Sequence, residues 1–345
     1  MKINKIFLGL AVLAVMFNSC KNEDITFPDF DYQSVYFANQ YPVRTVELGE
    51  DLFVDNSMDN QHKIEIKATT AGVYENKNNI VIDFRVENSL CDNLYFDNGR
   101  PILPMPASHY QLASPNKITI SKGSLLGGIE VQLTDDFFAD PSSIGNTYVI
   151  PLVMTGVQGA DSILSGVPAV ESPDRCVNDN WTIQPKDFVL YAVKFVNQYH
   201  GSYLRRGQDQ ITDLLDNSTS TSVRHQFDPS KDELVSISTN SLSVARLPLT
   251  ILDRANKSFS FTLILTFAGD NTCTISGNTA DYTISGTGKF VEKGDKNSFG
   301  GIDRNALYLD YAVEFSALKY RYATKDTLVV RDRGIAPEYF NVVRR

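Results

Sequence analysis

Histidine, cysteine and tryptophan are scarce in this chain: four, four and one among 345 residues. Four cysteines cannot staple a disulfide-dense scaffold of this length. Glycine (21) and proline (14) occur at ordinary levels, which excludes collagen-like and low-complexity classes. Positive charge is in deficit, with 32 Lys and Arg against 41 Asp and Glu, a formal net charge of -9. Nucleic acid is therefore not an expected partner, because binding it takes a basic stripe that neutralises phosphates. No Gly-x-Ser-x-Gly elbow, His-Glu-x-x-His pair or Walker loop occurs. His62, His109, His200 and His225 stand singly, and Cys91, Cys176 and Cys273 lie too far apart for a zinc pattern. No metal and no cofactor is expected.

Helical periodicity is almost absent, and period-two alternation takes its place. Ile80, Ile82, Phe84 and Val86 alternate with Val81, Asp83 and Arg85. Phe259, Phe261, Leu263, Leu265 and Phe267 form a second set, and Leu307, Leu309, Tyr311, Val313 and Phe315 a third. A pleated strand sends such residues to one face. Polar turns such as Gly269-Asp270-Asn271 separate the runs. The expected fold is all-β: an N-terminal immunoglobulin-like antiparallel β-sandwich followed by a C-terminal antiparallel β-sandwich or barrel.

The expected organisation is a leader (1–19), a lipidated Cys20 with a flexible tether (20–33), a sandwich (34–165), a linker (166–184) and a second β domain (185–345). The linker is polar and turn-rich at Glu171-Ser172-Pro173-Asp174 and Asn178-Asp179-Asn180. After it, Phe188-Val189-Leu190-Tyr191-Ala192-Val193 reads as the opening strand of the second domain.

Lys2 and Lys5 precede an apolar run from Ile6 to Phe17. As a helix that run spans about 18 Å, too short for a bilayer core of about 30 Å, so it reads as a signal peptide. It ends in Asn18-Ser19-Cys20, which resembles a bacterial lipobox, although Phe17 and Asn18 depart from its usual residues. The resemblance implies acylation of Cys20. The following Lys21-Asn22-Glu23-Asp24 is similar to the surface-export tract of Bacteroidota lipoproteins. It implies an outer-membrane protein facing outward, held in the membrane through its acyl chains only.

Candidate ligand residues are few. Gln198-Tyr199-His200-Gly201-Ser202-Tyr203 sets Tyr199, His200 and Tyr203 around a glycine turn, as a sugar-stacking rim or as cross-strand packing. Trp181, in the linker, is a second aromatic candidate, exposed as a platform or buried as a plug between domains. Asp295 and Asn297, in the loop 294–301, complete the expected rim. Asp209, Asp295, Asp303 and the pair Asp135-Asp136 keep a glycosidase reading open, since two carboxylates roughly 5–10 Å apart are its requirement. Gly286-Thr287-Gly288-Lys289 lacks the spacing of a phosphate loop and reads as a glycine-flanked strand or bulge.

Longer stretches resemble a known pairing. Pro104-Met105-Pro106, Tyr110-Gln111-Leu112, Ile118-Thr119-Ile120-Ser121-Lys122-Gly123, Val131-Gln132-Leu133-Thr134-Asp135 and Tyr148-Val149-Ile150-Pro151-Leu152 are similar to an N-terminal domain of unknown function. Leu190-Tyr191-Ala192-Val193-Lys194, Tyr199 to Tyr203, Gly286 to Phe290 and Thr327 to Arg333 resemble its C-terminal partner domain. The pairing occurs in Bacteroidota surface lipoproteins of polysaccharide-utilisation loci. It implies SusC-like and SusD-like outer-membrane partners and a glycan ligand, with no catalytic residues to carry over. The expected function is non-catalytic capture of polysaccharide or oligosaccharide. The alternatives are an accessory subunit of a transporter complex without a sugar site, and a glycoside hydrolase with an unrecognised site.

Overall fold

The computed structural model describes residues 30–345, so the leader, Cys20 and most of the tether lie outside the described residues. The principal strands of the first domain are β1 (Ser34–Tyr36), β2 (Pro42–Glu47), β3 (Lys63–Ala71), β4 (Ile80–Val86), β5 (Lys117–Ile120), β6 (Leu126–Leu133), β7 (Tyr148–Gln158) and β8 (Phe188–Val196). Their ladder runs β1-β3-β6-β5-β4-β7-β8-β2. It folds over at the β5–β6 hairpin, where Thr119 opposite Gly128 is the single pair. Alternate residues then face one another across a shared core: Ile64 and Ile66 of β3, Ile80 and Ile82 of β4, Ile150 and Leu152 of β7, and Val193 and Phe195 of β8. Tyr191 of β8 donates to the Glu65 carbonyl of β3 at 3.3 Å, a contact between opposite layers. The domain is a β-sandwich, as the alternation indicates. Most pairings are antiparallel, whereas β2 lies parallel to β8.

The domain boundary differs from the expectation. β8 pairs antiparallel with β7 and parallel with β2, so it closes the first domain and does not open the second. Its run of apolar residues has a local cause. One face meets the sandwich core; the other, through Phe188, Leu190 and Ala192, joins a second cluster with Leu90, Leu94, Phe96 and Phe340. A strand buried on both faces loses its alternation. The last residues also return: β18 (Glu338–Tyr339) pairs with β2, and β19 (Val342–Arg344) with Leu94–Phe96. Phe340 sits between them, edge-on to Tyr41 and Phe96 at 5.6 and 5.2 Å. Phe340→Leu is expected to cost about 1 kcal/mol through the two lost ring pairs. Hydrogen exchange should place the loosening in 94–96 and 188–196, with the second domain unchanged.

The second domain is β9 (Gly201–Asp213), β10 (Thr219–Arg224), β11 (Glu233–Thr239), β12 (Val244–Leu252), β13 (Ser258–Phe267), β14 (Thr272–Ser276), β15 (Tyr282–Asp295), β16 (Arg304–Phe315) and β17 (Tyr320–Asp332). β9 and β11 to β17 form a closed antiparallel barrel of eight strands, because β17 pairs back onto β9 from Ser202 to Asp213. β10 extends the far half of β9 beyond the end of its pairing with β11. Phe261, Leu263 and Leu265 of β13 and Leu307, Leu309 and Val313 of β16 fill the interior in the phase that the sequence alternation indicates. Gly286 and Gly288 lie within β15, opposite Tyr311 and Leu309. A Cβ on Gly286 would stand 2.5 Å from the Asp310 carbonyl, so these glycines permit close strand approach.

Arg333, just past β17, joins the two domains. Its guanidinium is 5% exposed and donates to the carbonyls of Leu48 (2.9 Å), Glu50 (3.3 Å), Asn197 (2.9 Å) and His200 (2.7 Å).

Candidate functional site

The barrel has two unlike ends. At the end toward the first domain, aromatic rings close the interior. At the opposite end, the inward positions turn polar: Arg205 and Asp209 on β9, Tyr311 on β16, and Thr324 and Asp326 on β17 are all buried. Arg205 Nε donates to Asp326 Oδ2 at 2.9 Å, its Nη1 to Glu233 at 3.1 Å, and its Nη2 to the Tyr311 hydroxyl at 3.2 Å. The Tyr311 hydroxyl donates in turn to Asp326 Oδ2 at 2.9 Å. Arg224, reaching in from β10, donates to Asp326 Oδ1 at 2.6 Å and to Asp209 Oδ2. Thr324 Oγ1 donates to Asp209 Oδ1 at 2.7 Å. Burial, reinforced by the Asp326 charge, pushes the Tyr311 phenol well above its ordinary range, so it stays a hydrogen-bond donor.

Gly207 makes this network possible. A Cβ there would lie 2.1 Å from Asp326 Oδ1 and 3.1 Å from Arg224 Nη2. The residue between Arg205 and Asp209 on the inward face must therefore lack a side chain.

Above the network opens a cavity of about 440 Å³. One wall carries Arg205, Asp209, Arg224 and Glu233; the other carries Ile251, Phe261, Val313 and Tyr322. Arg224 Nε has no hydrogen-bond partner. Phe227 stands fully exposed on the loop joining Arg224 to Glu233, and the exposed Leu252 belongs to the lining. Barrel mouths of this size hold one small ligand or the end of a larger one. All four oxygens of Asp209 and Asp326 accept hydrogen bonds from cations or hydroxyls. Carboxylates held in this way fix the two guanidiniums and the hydroxyls of the wall in place.

Of the residues singled out in the sequence, Asp209 lies in this network and the candidates for an aromatic rim lie elsewhere. Tyr199 is 3% exposed and stacks on Phe267 with ring centroids 3.4 Å apart, plugging the junction end. Its hydroxyl bonds Asn271 at 3.0 Å. Tyr203 is fully buried and donates to the Tyr199 carbonyl at 2.8 Å. These two tyrosines take the packing alternative and offer no ring face to a sugar. His200 is half-buried; burial, with Arg333 and Lys194, pushes it down to about 4, so it is neutral near pH 7. Its Nδ1 accepts the Thr239 N–H at 3.3 Å. The loop 294–301 lies at the same junction end. There Asp295 accepts from Ser298 Oγ, and the Asn297 N–H donates to Asp303 at 3.0 Å. Trp181 is remote from these residues, on a ribbon paired with Val167–Pro168, its Nε1 donating to the Asp174 carbonyl at 2.7 Å. Cys91, Cys176 and Cys273 are free and buried, each thiol pushed up to about 12 by burial.

Comparison with known proteins follows the same two-part division. Residues 198–334 match a family described as a domain of unknown function, DUF5627. Residues 30–161 match a family described as an N-terminal domain. The crystal structure of a protein of unknown function from Bacteroides ovatus is 53% identical, with a TM-score of 0.86; the alignment covers 92% of this chain and all of that one. Among curated proteins, none matches this chain.

Proposed function

From the premise that this chain belongs to the family of the Bacteroides ovatus protein of unknown function and matches DUF5627 over residues 198–334, we propose that it is a non-catalytic glycan-capture protein. The distal barrel mouth is its binding site. One observation carries this reading: fixed donors and acceptors converge on one wall of an open cavity, facing an apolar and aromatic wall. A pyranose presents that same division, hydroxyls at its edge and C–H groups on its face. Two guanidiniums against three carboxylates suit a neutral polyol better than an anion. Phe227, on the rim, adds a ring on which a further sugar unit can stack.

The leader supports a place at the cell surface, with Cys20 acylated and the chain held by its acyl chains. The mouth opens at the barrel end away from the first domain. The resemblance to proteins of polysaccharide-utilisation loci supports hand-over to a SusC/SusD-like importer. Micromolar affinity, about -8 kcal/mol, would serve a protein that concentrates ligand for transport.

The test is a glycan panel against the chain from Lys21 onward, by affinity electrophoresis and then calorimetry. Saturable binding without reducing-end release is expected. Phe227→Ala, at a fully exposed position, should weaken it roughly three- to tenfold with an unchanged melting temperature. Binding to no glycan would favour the accessory-subunit reading, and release of reducing ends would favour a hydrolase.

A further inference from the structure

A second cavity, independent of the barrel mouth, lies between the domains. It is a groove of about 690 Å³, bounded by β2 and residues 51–59 on one side and by Asp332–Pro337 on the other. Two buried carboxylates of the first domain line it, and they differ in one respect. Asp59 is complete: it accepts the Glu47 N–H at 2.9 Å and an Arg44 N–H. Glu47 is 4% exposed, and its Oε1 accepts no hydrogen bond. The nearest cation is Arg333 Nε at 3.4 Å, which already gives its proton to the His200 carbonyl. The other guanidinium nitrogens of Arg333 are taken by Leu48, Glu50 and Asn197. A buried acceptor left open in this way costs free energy that a donor would recover.

The surroundings narrow the kind of donor. Glu47, Asp51, Asp55, Asp59 and Asp332 line the groove against Arg44 and Arg333, so it repels anions. Among the described residues, no three metal-ligating side chains are grouped to hold an ion. The mouth carries Phe53 and Val54, 67% and 59% exposed, and the far wall is Ile335, Ala336 and Pro337. A single open oxygen suits a compact point charge better than a planar guanidinium, which seeks two. We propose that the groove binds a small organic cation, a primary ammonium on a compact body, with the ammonium donating to Glu47 Oε1 and the body against Phe53.

Protonation of Glu47 competes with such a ligand. Burial, opposed by Arg333 and reinforced by Asp51 and Asp59, pushes its carboxyl up to about 7. Arg44, on the same strand, and Asp55 are the further charged groups lining the groove from the first domain, and Asp332 the further one from the second. An ammonium binds the ionised form, so affinity should rise with pH, by on the order of tenfold or more between about pH 5.5 and 8.

Calorimetry with n-butylamine and ethanolamine, both ammonium ions throughout this range, against n-butanol and ethylene glycol as neutral counterparts, tests this on the chain from Lys21 onward. The amines should bind at about pH 8 and the neutral counterparts should not. In two buffers of different ionisation enthalpy, binding at about pH 6.5 should release protons. Glu47→Gln should weaken amine binding tenfold or more. Phe53→Ala, on an exposed loop, should weaken it a fewfold without altering the melting temperature. Equal binding of butylamine and butanol, unchanged affinity in Glu47→Gln, or no amine binding at tens of millimolar would each overturn the proposal. None of these results depends on the glycan screen.

Discussion

Asp326→Ala is expected to destabilise the barrel by about 3–5 kcal/mol, the largest effect of any single substitution at the candidate site. The Asp326 carboxylate is fully buried and receives Arg205, Arg224 and Tyr311. Without it, the Arg205 guanidinium, 6% exposed, keeps only Glu233, which is itself 43% exposed, and the Tyr311 hydroxyl. A guanidinium taken out of water and left half-paired carries most of that cost. For a domain of this size the melting temperature should fall by at least ~10 °C. Asp326→Asn retains one acceptor and should lose less. Denaturant titrations of both variants, followed by near-ultraviolet circular dichroism of the barrel tyrosines, check the order. A loss below about 1 kcal/mol for the alanine variant would show that the network does not hold the mouth together.

The same network explains what sequence could and could not reveal. The core phase of β13 and β16 was legible, because Phe259 to Phe267 and Leu307 to Phe315 alternate cleanly. The site follows from extending that logic to polar residues. Tyr203 is inward, so Arg205, Gly207 and Asp209 are inward too; Leu328 is inward, so Asp326, Thr324 and Tyr322 follow. Charged residues in phase with core residues, around a glycine, were the available signal. Arg224 had no such signal, because β10 is exposed along almost its whole length and carries no core residue to set the phase; its pairing opposite the inward Gly207 places it at the network. Tyr199 and Tyr203 stayed open between rim and packing because an aromatic next to glycine has the same composition in a rim and in a plug. Stacking on Phe267 decides for the plug, and that contact joins residues far apart in the chain. The boundary at 185 failed for a related reason. β8 is apolar on both faces because Phe340, from the far end of the chain, covers one of them.

Arg333→Ala is expected to uncouple the two domains, with an effect comparable to that at Asp326. Four carbonyls, two on each side of the junction, lose the Arg333 donor at once, and Glu47 loses the cation 3.4 Å from its open oxygen. A single cooperative melt should become two transitions, with about 3–5 kcal/mol lost from the coupled unit. The variant also alters the response to pH. In the parent protein Glu47 binds its proton more tightly when folded, about 7 against an ordinary 4.5. Between those values the folded state holds more protons than the unfolded one, so stability falls as pH rises through that window and is flat above it. Arg333 opposes this shift; removing it should carry the fall to higher pH. Glu47→Gln should abolish that fall while leaving the junction's hydrogen bonds in place. Calorimetric scans from about pH 5 to 8 on the three proteins separate these outcomes. An Arg333→Ala protein that still melts in one transition, with the parent's pH dependence, would place the coupling elsewhere, in the return of β18 and β19 onto the first domain.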